Sequence, residues 1–410
     1  MRAAYYFSVI TSFITVASIL FGAHAASAQA QTGVELESVE ALYQYGVQIT
    51  FSARVITSVP LQQATIVITD AARDYTNVQP VSIGEDGRLL YLFDVKRNLL
   101  RPFSLIQWKY QFVLADGTTF ESPAYSVRYE DNRFNWQRLT AGPLQVNWYN
   151  GDANFGQTAL NAGQAGLQAI STLMPLDLTQ PLDLYIYASS DDMRGTLVAG
   201  GEDWVAGHAD PAMGVAMIVI PPGPDQNILM EQRIPHEIMH VMLYRRVGAG
   251  YVNLPAWLRE GLATSAEVYR SPDYDLVLTD AAAKDALIPL KDLCIAFPTN
   301  DGQAFLAYAE SRSFVSYLHQ TYGSTGLMSL AGHYADGVDC ERGPERAFGV
   351  SFSKLELDWR ASALGQKSIG SALRNMTPYL VLLCLVLLVP LIGGLSMMRK
   401  KGKNEPETYA

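Results

Sequence analysis

Three patterns in the sequence predict an all-β domain, then an α+β domain, then a helix that crosses a membrane. Apolar and polar residues alternate with a period of two in 47–55 and 106–114, which is typical of strands with one solvent-facing side. Around 234–267 the apolar residues are spaced as in helices, after a series of short apolar runs. Residues 379–398 are apolar and carry no charge, and the run is long enough to span a bilayer.

Residues 1–28 are predicted to be a secretory signal. Arg2 is followed by an apolar run from about 5 to 21 and by the small residues Ala26-Ser27-Ala28. The run is short and contains Ser and Thr residues, which favours a cleaved signal over a membrane anchor. We therefore expect the mature chain to begin near Gln29.

Residues 33–130 are predicted to form a β-sandwich of immunoglobulin or fibronectin type. Short strands separated by the turn signals Asp86-Gly87 and Asp116-Gly117 are typical of such sandwiches. Its aromatic residues fit a packed core better than a ligand platform, because large rings are usually buried. The polar segment 130–133 marks the predicted boundary to the next domain.

The second domain, residues 134–364, is predicted to be α+β. Pro175 ends its first helix, and Gly323 ends a long amphipathic helix further on. The predicted elements are strands at 144–149, 182–187 and 215–220 and helices at 155–173, 304–322, 324–334 and 344–364.

A candidate metal site lies in the first of two apolar segments after these strands. His236-Glu237-Ile238-Met239-His240 is an H-E-x-x-H pentad, and positions i and i+4 of a helix share one face. His236 and His240 can therefore bind one ion, while Glu237 can reach a water on it without being a ligand. Glu260, on the second segment, is placed to be the third ligand. The alternative is a structural core helix with two buried histidines, which are costly unless a partner satisfies them.

The two segments together carry a family resemblance. The pentad followed by Trp257-Leu258-Arg259-Glu260-Gly261-Leu262-Ala263 resembles the gluzincin metallopeptidases, in particular the peptidase MA-like domains, over roughly 145–364. The spacing from His240 to Glu260 is that of thermolysin-type enzymes. The resemblance implies Zn²⁺ on His236, His240 and Glu260, with Glu237 as the general base. Thermolysin-type enzymes also carry an Asp one turn after the third ligand, which orients the first His; here that position is Thr264.

Two further expectations concern the substrate. Tyr308 can help to hold the developing oxyanion, although a packed tyrosine is the alternative and Tyr251 is a rival for the role. In gluzincins the strand before the metal helix edges the cleft, which corresponds here to 215–220. Gluzincin aminopeptidases carry an acid on that strand for the substrate's amine, and Gly214-Val215-Ala216-Met217-Ile218 has none. We therefore predict internal cleavage of peptides.

The C-terminal part predicts a membrane anchor. A tether at 365–378 leads into the predicted transmembrane helix at 379–398. The basic cluster that follows, within the tail 399–410, is expected to stay in the cytoplasm and to leave the preceding domains outside.

Composition narrows the classes of partner. The chain of 410 residues has a formal net charge of −10, and its basic residues are clustered only in the tail, which argues against nucleic acid as a partner. Cys384 lies in the predicted span. Cys294 and Cys340 would both be exported, so that a disulfide is allowed, and the sequence leaves their pairing open.

These observations predict an extracytoplasmic zinc metallopeptidase, anchored in the membrane, that hydrolyses peptides or proteins. The alternative is a non-catalytic surface binding protein that retains the zinc-binding domain as a scaffold. The presence of Glu237 favours the enzyme, because a scaffold has no need of a base beside the metal.

Overall fold

The computed structural model describes residues 33–70, 75–200, 207–365, 379–383 and 386. The predicted signal at 1–28 and the tail at 399–410 lie outside these residues, as does most of the predicted span at 379–398. Within the described ranges, no helix combines the length and the apolar composition needed to cross a membrane.

The N-terminal region folds into two antiparallel sheets around one core. Ile49 and Phe51 from one sheet are buried in the same cluster as Ile66, Trp108 and Tyr110 from the other. Its strands are Val34–Gln44 (β1), Gln48–Thr57 (β2), Leu61–Asp70 (β3), Tyr75–Pro80 (β4), Ser82–Ile83 (β5), Arg88–Asp94 (β6), Leu105–Leu114 (β7), Thr119–Glu121 (β8) and Tyr125–Arg128 (β9). One sheet has the order β1-β2-β6-β5 and the other β4-β3-β7-β8, with β9 also paired to β7. The all-β prediction is confirmed, while the immunoglobulin or fibronectin type stays a prediction.

A mixed sheet follows, and its edge differs from the expectation. Its strands are Gln137–Ala141 (β10), Leu144–Trp148 (β11), Leu182–Tyr187 (β12), Gly207–Asp210 (β13) and Val215–Val219 (β14). They lie in the order β10-β11-β12-β14-β13, in which β11, β12 and β14 are parallel. The strand predicted at the edge, β14, is therefore an inner strand, because β13 pairs with it antiparallel and covers its outer side. β13 was not predicted because it is short and lacks an alternation of apolar and polar residues.

The rest of this region is helical. The helices are Ala153–Leu173 (α1), Ser190–Gly200 (α2), Gln226–Val247 (α3), Ala256–Ala266 (α4), Pro272–Ala283 (α5), Asp301–Ala335 (α6), Gly343–Phe348 (α7) and Phe352–Ala363 (α8), with 3-10 turns at Gly248–Asn253 and Leu290–Leu293. Gly323 breaks the helical geometry of α6 with a φ of 68°, at the place where the sequence predicts the break.

The polar segment between the two regions contains one fully buried residue, Asp131, whereas Asn132 and Arg133 beside it are exposed. Asp131 has no exposed surface and accepts hydrogen bonds from Arg133 and from the hydroxyl of Thr196 on α2. Arg101 of the N-terminal region forms an ion pair with Asp210 on β13 at 3.0 Å. We refer to these polar contacts as the junction.

A disulfide joins Cys294 to Cys340, with their Cα atoms 6.0 Å apart. It lies at the start of α4, where the backbone N–H of Ala256 donates to the carbonyl of Cys294 at 2.9 Å. The indole N–H of Trp257 also donates to the sulfur of Cys340 at 3.4 Å. The pairing that the sequence left open is therefore made, and it supports the helix that carries Glu260.

Candidate metal centre

The three predicted ligands meet in one place. α3 presents His236 and His240 on the same face, and α4 packs against it and brings Glu260 to the two imidazoles. The Nε2 atoms of His236 and His240 lie 3.4 Å and 3.7 Å from Oε2 of Glu260. One ligand atom from each residue lies within 4.8 Å of the other two, and these are the residues that could hold a metal ion.

The donor set fits a zinc-sized ion. Four-coordinate zinc with bonds of about 2.1 Å places neighbouring ligand atoms about 3.4 Å apart, which is close to the two distances to Glu260. Two nitrogen donors and one carboxylate leave a fourth position, as catalytic zinc sites require. The residues present therefore fit the cofactor that the sequence predicts.

Each histidine turns its second ring nitrogen to a different partner. Nδ1 of His236 lies 3.3 Å from Oε1 of Glu267, which is buried just beyond α4. Nδ1 of His240 lies 2.9 Å from the hydroxyl oxygen of Tyr251, in the 3-10 turn between the ligand helices. The carboxylate of Glu267 can only accept, so it favours a proton on Nδ1 of His236 and leaves Nε2 free to bind a metal. The hydroxyl of Tyr251 can accept from Nδ1 of His240 in the same way when Nε2 binds a metal.

The partner of His236 is a residue that the sequence analysis missed. Thermolysin-type enzymes have this partner one turn after the third ligand, where the chain has Thr264, and the sequence left the partner of His236 open. The buried hydroxyl of Thr264 has no hydrogen-bond partner among the described residues. α4 ends at Ala266, and the extended backbone of Glu267 carries its carboxylate to His236 instead. The sequence feature that could have indicated this partner is a second acidic residue, Glu267, shortly after Glu260. Helical spacing alone does not predict that Glu267 reaches His236.

The charges of the cluster favour a cation. Burial opposes a charge on His236, but the carboxylates of Glu260 and Glu267 outweigh it and raise its pKa to about 10. Burial likewise opposes the charge on Glu260, yet His240 and His236 lower its pKa to about 2. Burial lowers the pKa of His240 to about 4 and keeps this imidazole neutral. Without a metal, positive charge is thus drawn to the place where the three ligand atoms converge.

Glu237 and Tyr308 lie beside the cluster in different settings. Glu237 is buried, and this burial raises the pKa of its carboxyl to about 7, in the range that suits a general base. The ring of Tyr308 lies 6.1 Å from that of His236, edge to face, and also packs against Phe297. Burial raises the pKa of Tyr308, so its hydroxyl keeps its proton. The structure thus brings Tyr308 to the site, whereas the hydroxyl of Tyr251 is already engaged by His240.

A separate cleft lies away from these residues. It has a volume of about 800 Å³ and lies among α1, α4, α5, α6 and α8, with Arg312 and His319 in its wall. None of the cluster residues lines it. We place the candidate site at the cluster because the convergent ligands and the base are there, and volume alone supplies no chemistry.

A comparison with protein families covers the part of the chain that holds the cluster. The family model described as Peptidase MA superfamily matches residues 162–365. This segment is a Peptidase MA superfamily domain. The match contains His236, Glu237, His240 and Glu260, and it supports a metallopeptidase that follows an N-terminal β region.

Solved structures resemble the chain more remotely, and no curated protein matches it. An M1 zinc metallopeptidase from Deinococcus radiodurans is 13% identical with a TM-score of 0.36, over 82% of this chain and 95% of that one. OgpA from Akkermansia muciniphila is 19% identical with a TM-score of 0.21, over 25% of this chain. The chain spans 28% of the length of OgpA. At these TM-scores, neither likeness supports a conclusion about function.

Proposed function

We propose that the chain is a zinc-dependent metallopeptidase of the gluzincin type, held at the membrane with its catalytic domain outside the cytoplasm. The convergence of His236, His240 and Glu260 beside the buried carboxyl of Glu237 carries this proposal. The Peptidase MA superfamily match over 162–365 supports the peptidase class. The proposed domains are the β region at 33–130 and the peptidase domain at 134–364.

The residues of the site divide the chemistry among them. His236, His240 and Glu260 would hold Zn²⁺, which when bound supplies Lewis acidity to the scissile carbonyl and its attacking water. Glu237 takes the proton of that water and delivers it to the leaving amine. Tyr308, which stays protonated, is placed to donate a hydrogen bond to the oxygen that becomes negative. Glu267 and Tyr251 orient the two imidazoles.

We further propose that the enzyme cleaves peptides at internal bonds, for a reason that differs from the one given by the sequence. The segment compared with aminopeptidases lies on the inner strand β14, so its lack of an acid says nothing about the cleft edge. The edge strand β13 carries Asp210, and this carboxylate is buried and paired with Arg101. An acid that already has a guanidinium partner is poorly suited to bind the free amine of a substrate, which favours internal sites.

The location outside the cytoplasm rests on the signal at 1–28 and on the apolar run at 379–398. The disulfide between Cys294 and Cys340 supports it, because such bonds persist in oxidising compartments. Protease added to intact cells should digest the peptidase domain and spare the tail at 399–410. A peptidase domain that survives while a control surface protein is digested would contradict this topology.

The experiment that tests the proposed function separates the base from the ligands. Glu237→Gln should keep one Zn²⁺ per chain after dialysis and lose about a hundred- to ten-thousand-fold in the rate of peptide hydrolysis. Glu260→Ala should lose the metal first, and the activity with it, because it removes a bond to the ion. Glu345→Gln, an exposed residue on α7, is the matched control and should change neither quantity.

Three results would contradict the proposal. Loss of metal by Glu237→Gln would show that Glu237 is a ligand and not the base. Full activity of Glu260→Ala with bound metal would show that the third ligand is assigned wrongly. A wild-type protein that binds Zn²⁺ but cleaves no member of a peptide library would favour the non-catalytic binding protein.

A further inference from the structure

A proline interrupts the hydrogen bonding of the metal helix directly before the first ligand. Pro235 lies inside α3, and its ring nitrogen has no hydrogen to donate to the carbonyl of Glu231 one turn earlier. That carbonyl instead accepts from the backbone N–H groups of Val268 at 2.9 Å and Tyr269 at 3.4 Å. A segment from beyond α4 thus takes the hydrogen bond that the helix cannot make.

The same segment delivers the carboxylate that contacts His236. Glu267 immediately precedes Val268, and its φ of −56° and ψ of 127° take the chain out of α4 in an extended conformation. Its own N–H makes only a long contact, 3.4 Å, to the carbonyl of Thr264. The backbone of Glu267 is therefore held mainly through the next residue, Val268. The N–H of Val268 donates to the carbonyl of Glu231 on α3, five residues before His236.

We propose that Pro235 is a positioning residue for the metal centre, because the carbonyl it leaves free on Glu231 anchors the segment that holds Glu267 against His236. The proposal rests on the proposed function, since it assigns how one ligand of that site is oriented. An alanine at 235 would bring a helical N–H that competes with Val268 for the carbonyl of Glu231. The Glu267 carboxylate would then hold His236 less well, and the affinity for Zn²⁺ would fall.

Packing is the competing explanation for this proline. Pro235 packs closely against Gly166 of α1. A Cβ added at Gly166 would lie 2.8 Å from the Cβ of Pro235. If packing were its only role, Pro235→Ala would lower the stability of the metal-free protein, and any loss of Zn²⁺ affinity would add to that of Glu267→Gln. Positioning predicts the reverse pattern, because alanine is a far better helix former than proline in a helix interior.

The test compares Pro235→Ala, Glu267→Gln and the double variant by chelator competition for Zn²⁺ and by urea unfolding of the metal-free proteins. Each single variant should weaken Zn²⁺ binding by about tenfold or more. Because both act through one contact, the double variant should bind within about twofold of Glu267→Gln. Pro272→Ala is the matched control, since this exposed proline lies in the first turn of α5, where no helical N–H is required. It should bind Zn²⁺ as the wild type does.

A second variant reaches the same contact from the other side. Val268→Pro keeps Pro235 and removes the N–H that bonds the carbonyl of Glu231, so it should weaken Zn²⁺ binding to the same extent. It also decides the question if Pro235→Ala does not fold. The proposal is overturned if the variant that folds binds Zn²⁺ within twofold of the wild type, or if the losses of Pro235→Ala and Glu267→Gln add.

If the proposed metal centre itself is wrong, the variants of its histidines give a different pattern of Zn²⁺ binding. His236→Ala and His240→Ala should both abolish tight Zn²⁺ binding. If they keep wild-type affinity, there is no metal centre at the cluster, and the positioning role falls with it. If they lose the metal while Pro235→Ala keeps it, the metal centre stands and only the role of Pro235 is rejected.

Discussion

The two faces of the mixed sheet are covered in different ways. On one face Val146, Leu184 and Ile218 belong to the same buried hydrophobic cluster as residues of α1 and α3, the helix that carries the two histidines. On the other face Tyr185 and Tyr187 are buried in an aromatic cluster that includes residues of the N-terminal region and α2. The metal cluster lies among the helices on the first face, whereas the second face adjoins the junction.

This difference indicates how the two halves of the molecule depend on each other. The candidate site is held by close apolar contacts between helices, so it should respond to small changes of volume. The junction is held by buried ion pairs and hydrogen bonds, so it should respond to the loss of a single polar partner. Changes at the junction should therefore alter stability without altering the metal site, and changes in helix packing should alter both.

The largest effect is expected from Asp131→Ala at the junction. It leaves the guanidinium of Arg133 and the hydroxyl of Thr196 without their buried acceptor. We expect a loss of about 3 kcal/mol in the free energy of unfolding, near the lower end for a broken buried pair because Arg133 is partly exposed. Urea unfolding measures the loss, and Zn²⁺ affinity should not change. Asp86→Ala, which breaks an exposed pair with Arg88, is the control and should lose less than about 1 kcal/mol.

A smaller effect is expected from Gly166→Ala in the packing of α1 on α3. The added Cβ would come within 2.8 Å of the Cβ of Pro235, so one helix must shift beside His236. We expect a loss of about 2 kcal/mol in stability together with a measurable loss of Zn²⁺ affinity. Gly332→Ala on α6 is the control, because its Cβ would meet nothing within 4 Å. Unchanged Zn²⁺ affinity in a destabilised Gly166→Ala protein would show that helix packing and the site are independent.

The smallest effect is expected from Tyr251→Phe, a change within the metal site itself. It removes the hydroxyl that contacts Nδ1 of His240 and keeps the ring on which Arg259 lies, 5.5 Å from the ring centre. We expect about a tenfold loss of Zn²⁺ affinity by chelator competition and little change in the stability of the metal-free protein. Tyr244→Phe, on the neighbouring ring, should bind Zn²⁺ normally. Equal affinities of the two variants would exclude a role for the Tyr251 hydroxyl.

Local patterns in the sequence predicted most of the site. His236 and His240 meet because i and i+4 share a helix face. The second apolar segment was expected to bring Glu260 to them, and the resemblance implied the role of Glu237 as the base. Glu267 was missed because its approach to His236 depends on how the chain leaves α4 and on the carbonyl that Pro235 frees on α3. Pro235 and Glu267 lie more than thirty residues apart in the sequence, so no local sequence pattern predicts this contact.

The fold shows the same division. Alternating strands such as β2 and β7 and the break at Gly323 were predicted, since each depends on its own residues. The edge strand β13 was missed, and β14 was therefore wrongly expected at the edge of the sheet. The four residues Gly207–Asp210 have no strand pattern of their own and become a strand only by pairing with β14. The burial of Asp131 was equally invisible, because it depends on partners on α2 and β12.

The disulfide between Cys294 and Cys340 has a consequence for the integrity of the chain. Its two cysteines are 46 positions apart, and all of α6, with Tyr308, lies between them. In the chain-entropy description, closing a loop of this length stabilises the fold by about 4 kcal/mol. If the chain is cut by a protease between the two cysteines, the disulfide keeps both pieces joined. Such a nicked molecule would run as one band on a denaturing gel without reductant and as two bands with it.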